Sequence, residues 1–177
     1  MTTNFNHYST CTCTVITACT CTVITACIIL YKGKGLIDFY VLLYLEQGQN
    51  NSIRFAATRA IVERIDHFYE LGSSARIGLM VANNGVTKHL DISNNYDGET
   101  IQNLIANDDD LNVPIATSAA PGEAILAAVN SLLTSPRTQA LKVLFHIDST
   151  SSHSLDDVFN LTRSVMEDGI IYILFCK

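Results

Sequence analysis

From Asp38 onward the chain alternates between short apolar runs and longer stretches in which apolar residues recur every three or four positions. Asp38-Phe-Tyr-Val-Leu-Leu-Tyr44 is an almost unbroken apolar run of strand length, the pattern of a central strand covered on both faces. Glu46-Gln-Gly-Gln-Asn-Asn51 follows as a loop. Ser52 then caps a helix whose apolar positions Ile53, Ala57, Ala60, Ile61, Ile65 and Phe68 mark the core-facing stripe. Arg54, Arg59, Glu63 and Asp66 fall on its other faces, and Gly72 closes it. Ala75–Val81 reads as a second strand, Asn83-Asn84-Gly85 as a tight turn, and Val86–Ile92 as a third strand. A connection that short makes the pair antiparallel.

Further along, Glu99–Ala106 is a short helix, and Asn107–Ala120 is a polar, proline-containing connection. Pro121 suits the first position of a helix with Ile125, Ala128, Val129, Leu132 and Leu133 as its core stripe. Lys142–Ile147 is another buried strand. Ser154 and Asp157 have the spacing of a capping box for a helix through Glu167, Gly169 stops that helix, and Ile170–Phe175 is the last strand. The order β-α-β-β-α-α-β-α-β predicts a doubly wound, mostly parallel α/β sheet of order 3-2-1-4-5-6. Val86–Ile92 is then an antiparallel edge, and helices cover both faces. Ligands of such sheets bind beyond the carboxyl ends of the strands, which directs attention to the loops starting at Leu45, Thr117 and Asp148.

Residues 1–35 follow different rules. The octapeptide CTCTVITA occurs at Cys11–Ala18 and again at Cys19–Ala26, a low-complexity duplication outside the alternating pattern. Cys11–Tyr31 has no charged residue and is as long as a membrane span or a signal-peptide apolar region. Its threonines and β-branched residues favour helix poorly, and no Lys or Arg precedes it. Two readings stay open: a signal or membrane segment, or an extension outside the fold. Any membrane association would run through residues 11–31. The Cys-x-Cys pairs match structural zinc spacing weakly.

The domain proper is placed at residues 36–177, and composition supports a single core: 48% of the 177 residues are hydrophobic and 16% charged. Lys32 and Lys34 are the only charged residues before Asp38, so the whole acidic excess lies in the domain. That balance argues against a general nucleic-acid binder, which needs clustered Lys and Arg. Cys11, Cys13, Cys19, Cys21 and Cys27 precede the domain and Cys176 closes it, which leaves its body no disulfide framework. Asn50-Asn51-Ser52 and Asn160-Leu161-Thr162 are glycosylation sequons and suit a secreted or extracellular protein.

The runs Asp38-Phe-Tyr-Val-Leu-Leu, Ala75-Arg-Ile-Gly-Leu-Met-Val and Lys142-Val-Leu-Phe-His-Ile-Asp148 resemble the first, second and fourth strands of the von Willebrand factor type A family. Gly122–Ala128 and Gly169-Ile-Ile-Tyr-Ile extend the resemblance. It implies an adhesion-type, protein-binding domain and a magnesium site built from Asp-x-Ser-x-Ser after the first strand, a later Thr and an Asp after the fourth strand. In this chain the Asp-x-Ser-x-Ser positions hold Tyr44-Leu-Glu-Gln-Gly48, which lack the carboxylate and both hydroxyls. Asp148 matches the last ligand, and Thr117 or Ser118 lies near the Thr position. A two-residue shift would bring Glu46 into place, leaving Glu46 and Asp148 as weak metal candidates where a hard cation needs a fuller oxygen shell. The expected site is therefore metal-independent and cofactor-free, with ligand-binding loops at Glu46, Gln47, Thr117, Ser118, Asp148 and Ser149 and another protein as partner. The chain stops directly after the last strand, so the family's carboxyl-terminal helix is expected to be missing.

No nucleophile elbow, phosphate loop, dinucleotide fingerprint or HExxH helix is present. The best catalytic alternative is His146, Asp148 and His153, because alternate strand residues share a side and the next loop can return His153 to them. The chain is read as a binding domain, not an enzyme.

Overall fold

The computed structural model describes residues 35–45, 52–83, 85–107, 120–148, 163, 165 and 167–176. Five strands, β1 (Ile37–Tyr44), β2 (Ala75–Ala82), β3 (Val86–Leu90), β4 (Leu141–Asp148) and β5 (Ile171–Cys176), form one sheet in the order β3-β2-β1-β4-β5. Three helices, α1 (Ser52–Phe68), α2 (Gly98–Asn107) and α3 (Pro121–Leu133), pack on it. β1 runs parallel to β2 and β4, β4 runs parallel to β5, and β3 is antiparallel to β2 at the edge. The expected order holds through its fifth position, and the described residues contain no sixth strand.

The continuous apolar run of β1 is explained by its place: all eight residues are buried, because strands flank it on both sides and helices cover both faces. Alternation along the strand divides the core in two. Phe39, Val41 and Leu43 pack with Ile61, Ile65, Ile101 and Ile105 from α1 and α2. Tyr40, Leu42 and Tyr44 pack with Ala124, Ile125, Ala128 and Leu132 from α3. The α3 stripe is the predicted one save at its end, where Leu133 is 47% exposed.

Helix α1 is rotated relative to its sequence reading. Ile53 is 47% exposed, whereas Arg54 and Thr58 are buried in line with Ile61, Val62 and Ile65. Apolar residues occur nearly all round this helix, so periodicity did not select one face. Thr58 Oγ1 donates to Arg54 O at 2.9 Å, which satisfies the buried hydroxyl.

Local polar groups set several boundaries. Gly72 adopts φ +94°, as the loop after α1 requires. β3 ends at Leu90, two residues early, because the Asp91 carboxylate accepts from Ser93 N at 2.9 Å and Ser93 Oγ at 2.8 Å and turns the chain. Asp97 accepts from Thr100 N at 2.7 Å and so caps α2, which opens one residue before the expected Glu99. Of the expected helix ending at Glu167, residues 163, 165 and 167 are described and helical.

Candidate functional site

The carboxyl ends of the parallel strands meet on one side of the sheet, where Tyr44 pairs in register with Ala82, and Asp148 with Cys176. Tyr44, the last residue of β1, is fully buried. Its ring lies edge-on to His146, with centroids 6.4 Å apart. His146 is equally buried, and its Nδ1 is 2.6 Å from Tyr172 Oη. Tyr172 also meets the imidazole edge-on, at 6.0 Å. Asp148, two residues along β4, is 7% exposed and holds Oδ2 3.8 Å from His146 Nε2.

Tyr44 therefore belongs to the core beneath α3, within a row of two tyrosines and a histidine. Of the residues singled out from sequence, the structure brings together His146 and Asp148. Glu46, Gln47, Thr117, Ser118, Ser149 and His153 lie outside the described residues. Among the described residues, no group of three or more His, Cys, Asp or Glu is placed to hold a metal ion. His146 has no solvent exposure, and its distance to Asp148 is longer than a hydrogen bond. That geometry suits a buried polar network better than a general base, which must reach a substrate proton.

On the opposite face of the sheet, an open groove of about 450 Å³ runs between α1 and α2, lined by Phe55, Ala56, Arg59, Ala60, Glu63 and Ile105. It is remote from His146 in the fold, since Ile105 belongs to the other half of the core.

A charged cluster that no sequence motif marks lies at the amino-terminal ends of β1 and β4. Asp38 is fully buried. Its Oδ1 accepts from Arg137 Nε at 2.9 Å and Nη2 at 2.5 Å, and its Oδ2 from Ser135 Oγ at 2.5 Å and Lys142 Nζ at 2.6 Å. Arg137 also donates to Ser73 O at 3.1 Å and Ile37 O at 2.6 Å. Burial pushes the Asp38 pKa up, but the hydrogen bonds from Lys142, Ser135 and Arg137 and the charge of Arg137 outweigh it and hold the carboxyl below its ordinary range. The one sign in the sequence was an acid at the head of an apolar run; that it stands in register with Lys142 is seen only in the structure.

No protein-family model matches the chain, and no curated protein does. Solved structures do. An aerotolerance-related membrane protein from Bacteroides fragilis is 16% identical at a TM-score of 0.57, covering 79% of this chain and 66% of that one. Proximal thread matrix protein 1 from the mussel byssus is 15% identical at 0.56 in a structure with a zinc-occupied MIDAS motif, over 82% of this chain and 36% of that one. The SpRpn10 VWA domain is 11% identical at 0.55, over 81% and 87%. The chain thus spans two thirds or less of the first two proteins. Among the described residues, no helix is long and apolar enough to cross a membrane.

Proposed function

We propose, from the von Willebrand factor type A-like fold of this chain, that it is a protein-binding, adhesion-type domain that docks its partner without a metal ion. The observation that carries this reading is Tyr44, a buried ring where a magnesium shell needs a carboxylate. Docking is assigned to the loops after Tyr44, Asn112 and Asp148, with Glu46, Gln47, Thr117, Ser118, Asp148 and Ser149 as contact residues. Variable loops on a rigid sheet are where such folds carry recognition. A secreted or extracellular location fits the two sequons.

Calorimetric titration of the full chain with magnesium, manganese and calcium is expected to show no saturable binding at micromolar concentrations. The Asp148→Ala variant should behave identically. Micromolar magnesium binding that disappears in Asp148→Ala would sink the metal-independent reading and put Glu46 in the ligand position.

Residues 36–177 are proposed as the domain, with residues 1–35 as an extension that contributes nothing to its core. Deleting residues 1–35 should move the thermal midpoint by less than about 2 °C, the scale of a fraction of a kcal/mol in a domain of this size. Loss of cooperative unfolding in the truncated chain would show that the segment is part of the fold.

A further inference from the structure

We infer that the outer side of α1 is a self-association surface, on which α1 of a second copy of this chain lies antiparallel along the α1–α2 groove, with Arg59 of each copy against Glu63 of the other. The inference does not rest on the docking assigned above to the strand ends.

The rotation of α1 sets the contact. Because Arg54, Thr58, Ile61, Val62 and Ile65 are the buried residues, Ala56, Ala60, Glu63 and His67, which recur at three and four residues, run along the opposite side. Ala60 is half-buried and the other three are exposed. Ile53, 47% exposed, stands at the head of the same side. Arg59 flanks the row toward α2, where it and Glu63 line the groove together with Ser52, Phe55 and Ile105. Alanines at 56, 60 and 106 keep the walls of the groove low, so a second helix can approach closely.

Charge selects a second copy as the occupant. A helix seated here must bring an acid to Arg59 and a base to Glu63, one turn apart, and α1 itself carries that pair in the order an antiparallel copy needs. With a two-fold axis at Ala60, that residue meets its counterpart, Arg59 falls against Glu63 of the second copy, and Ile53 falls against its His67. Each such contact occurs twice, as in any isologous interface. Arg64 falls against Ala56 of the second copy and meets no like charge there. Within one helix, a base four residues ahead of an acid is the weaker order of such a pair, so pairing across the axis costs little inside each copy. The 17 residues of α1 make a helix about 25 Å long, and two of them packed together bury less than the roughly 1,200–2,000 Å² of a stable interface. The dimer is therefore weak, with a Kd on the order of 100 µM.

The test is sedimentation equilibrium of the full chain from roughly 10 µM to 1 mM, a range that brackets that Kd. A monomer–dimer equilibrium is expected, and it should weaken as added salt screens the paired charges. Arg59→Glu and Glu63→Arg each bring like charges together twice per dimer, and each should weaken association at least about tenfold. The double exchange, Arg59→Glu with Glu63→Arg, pairs opposite charges again and should restore association to within about threefold of the original chain. Both positions are exposed, and an unchanged melting temperature in each variant will show that the fold is intact. A chain that stays monomeric throughout, single losses that the double exchange does not recover, or a dimer indifferent to both single changes, which would place the contact on another surface, would each overturn the inference. Should one single variant fail to fold, the other and the double exchange decide the matter.

Discussion

Asp38→Asn is expected to lower the stability of the fold by about 3 kcal/mol at neutral pH, and the melting temperature by roughly 10 °C. The change keeps the size of the side chain and removes the charge that Arg137 and Lys142 share. Breaking a buried ion pair from one side costs roughly 3–5 kcal/mol, because the remaining charge is left without compensation. The lower end applies here, since the Arg137 and Lys142 side chains are each 11% exposed and keep partial access to water. The pH dependence has a definite sign. The folded-state pKa of Asp38 is depressed, so the stabilisation is fully present above the ordinary carboxylate range and is lost as pH falls through the folded value. The gap between the original chain and Asp38→Asn, measured by urea unfolding, should be widest near pH 7 and should narrow below about pH 4. A gap that is constant with pH would mean that the charge is not what Asp38 contributes.

Gly78→Ala is the second large effect, expected at about 2–3 kcal/mol of destabilisation from overpacking. Gly78 is the register partner of Tyr40, and a Cβ there would lie 2.3 Å from Tyr40 Cε2. The ring cannot retreat, because Tyr40 is fully buried on a strand paired on both sides. Gly98→Ala supplies the contrast. Its Cβ would fall 2.2 Å from Asp66 Oδ2, but that carboxylate ends an exposed, flexible side chain that can swing into water. Its cost should stay within about 1 kcal/mol. In the double variant Gly78→Ala with Tyr40→Leu, the two changes should cost less together than the sum of each alone. Additive costs would show that the glycine is needed for some reason other than the ring.

The sheet was legible because its central strands are covered on both faces and so carry uninterrupted apolar runs. The order of β1, β2 and β4 then followed from helical connections of one hand. Helix α1 was legible as a helix but not in its rotation. Once Phe55, Ala56 and Val62 are counted with Ile53 and Ile61, the apolar surface spans most of the circumference, and which side faces the sheet depends on the tertiary fit of Arg54 and Thr58. The Asp38 cluster was not legible, because Arg137 and Lys142 are 99 and 104 residues from Asp38 and only the β1–β4 register joins them. At the candidate site, sequence identified His146 and Asp148 as neighbours on one side of a strand. It gave no hint that Tyr172 would engage the imidazole, since that contact depends on how β5 aligns with β4. Nor does an aromatic residue at the end of a strand reveal that its ring turns inward, as Tyr44 does.

The placement of β1 between β2 and β4 also has a consequence for biogenesis. A ribosome adds about 5–20 residues per second, so roughly 5–20 s separate the synthesis of Asp38 from that of Lys142, 104 residues later. Over that interval β1 can pair with β2, which arrives first, while its other hydrogen-bonding edge awaits β4 and its Tyr40–Leu42–Tyr44 face awaits α3. Assembly of this sheet is therefore governed by non-local contacts, and nascent chains halted before Leu141 should be the aggregation-prone, chaperone-binding species.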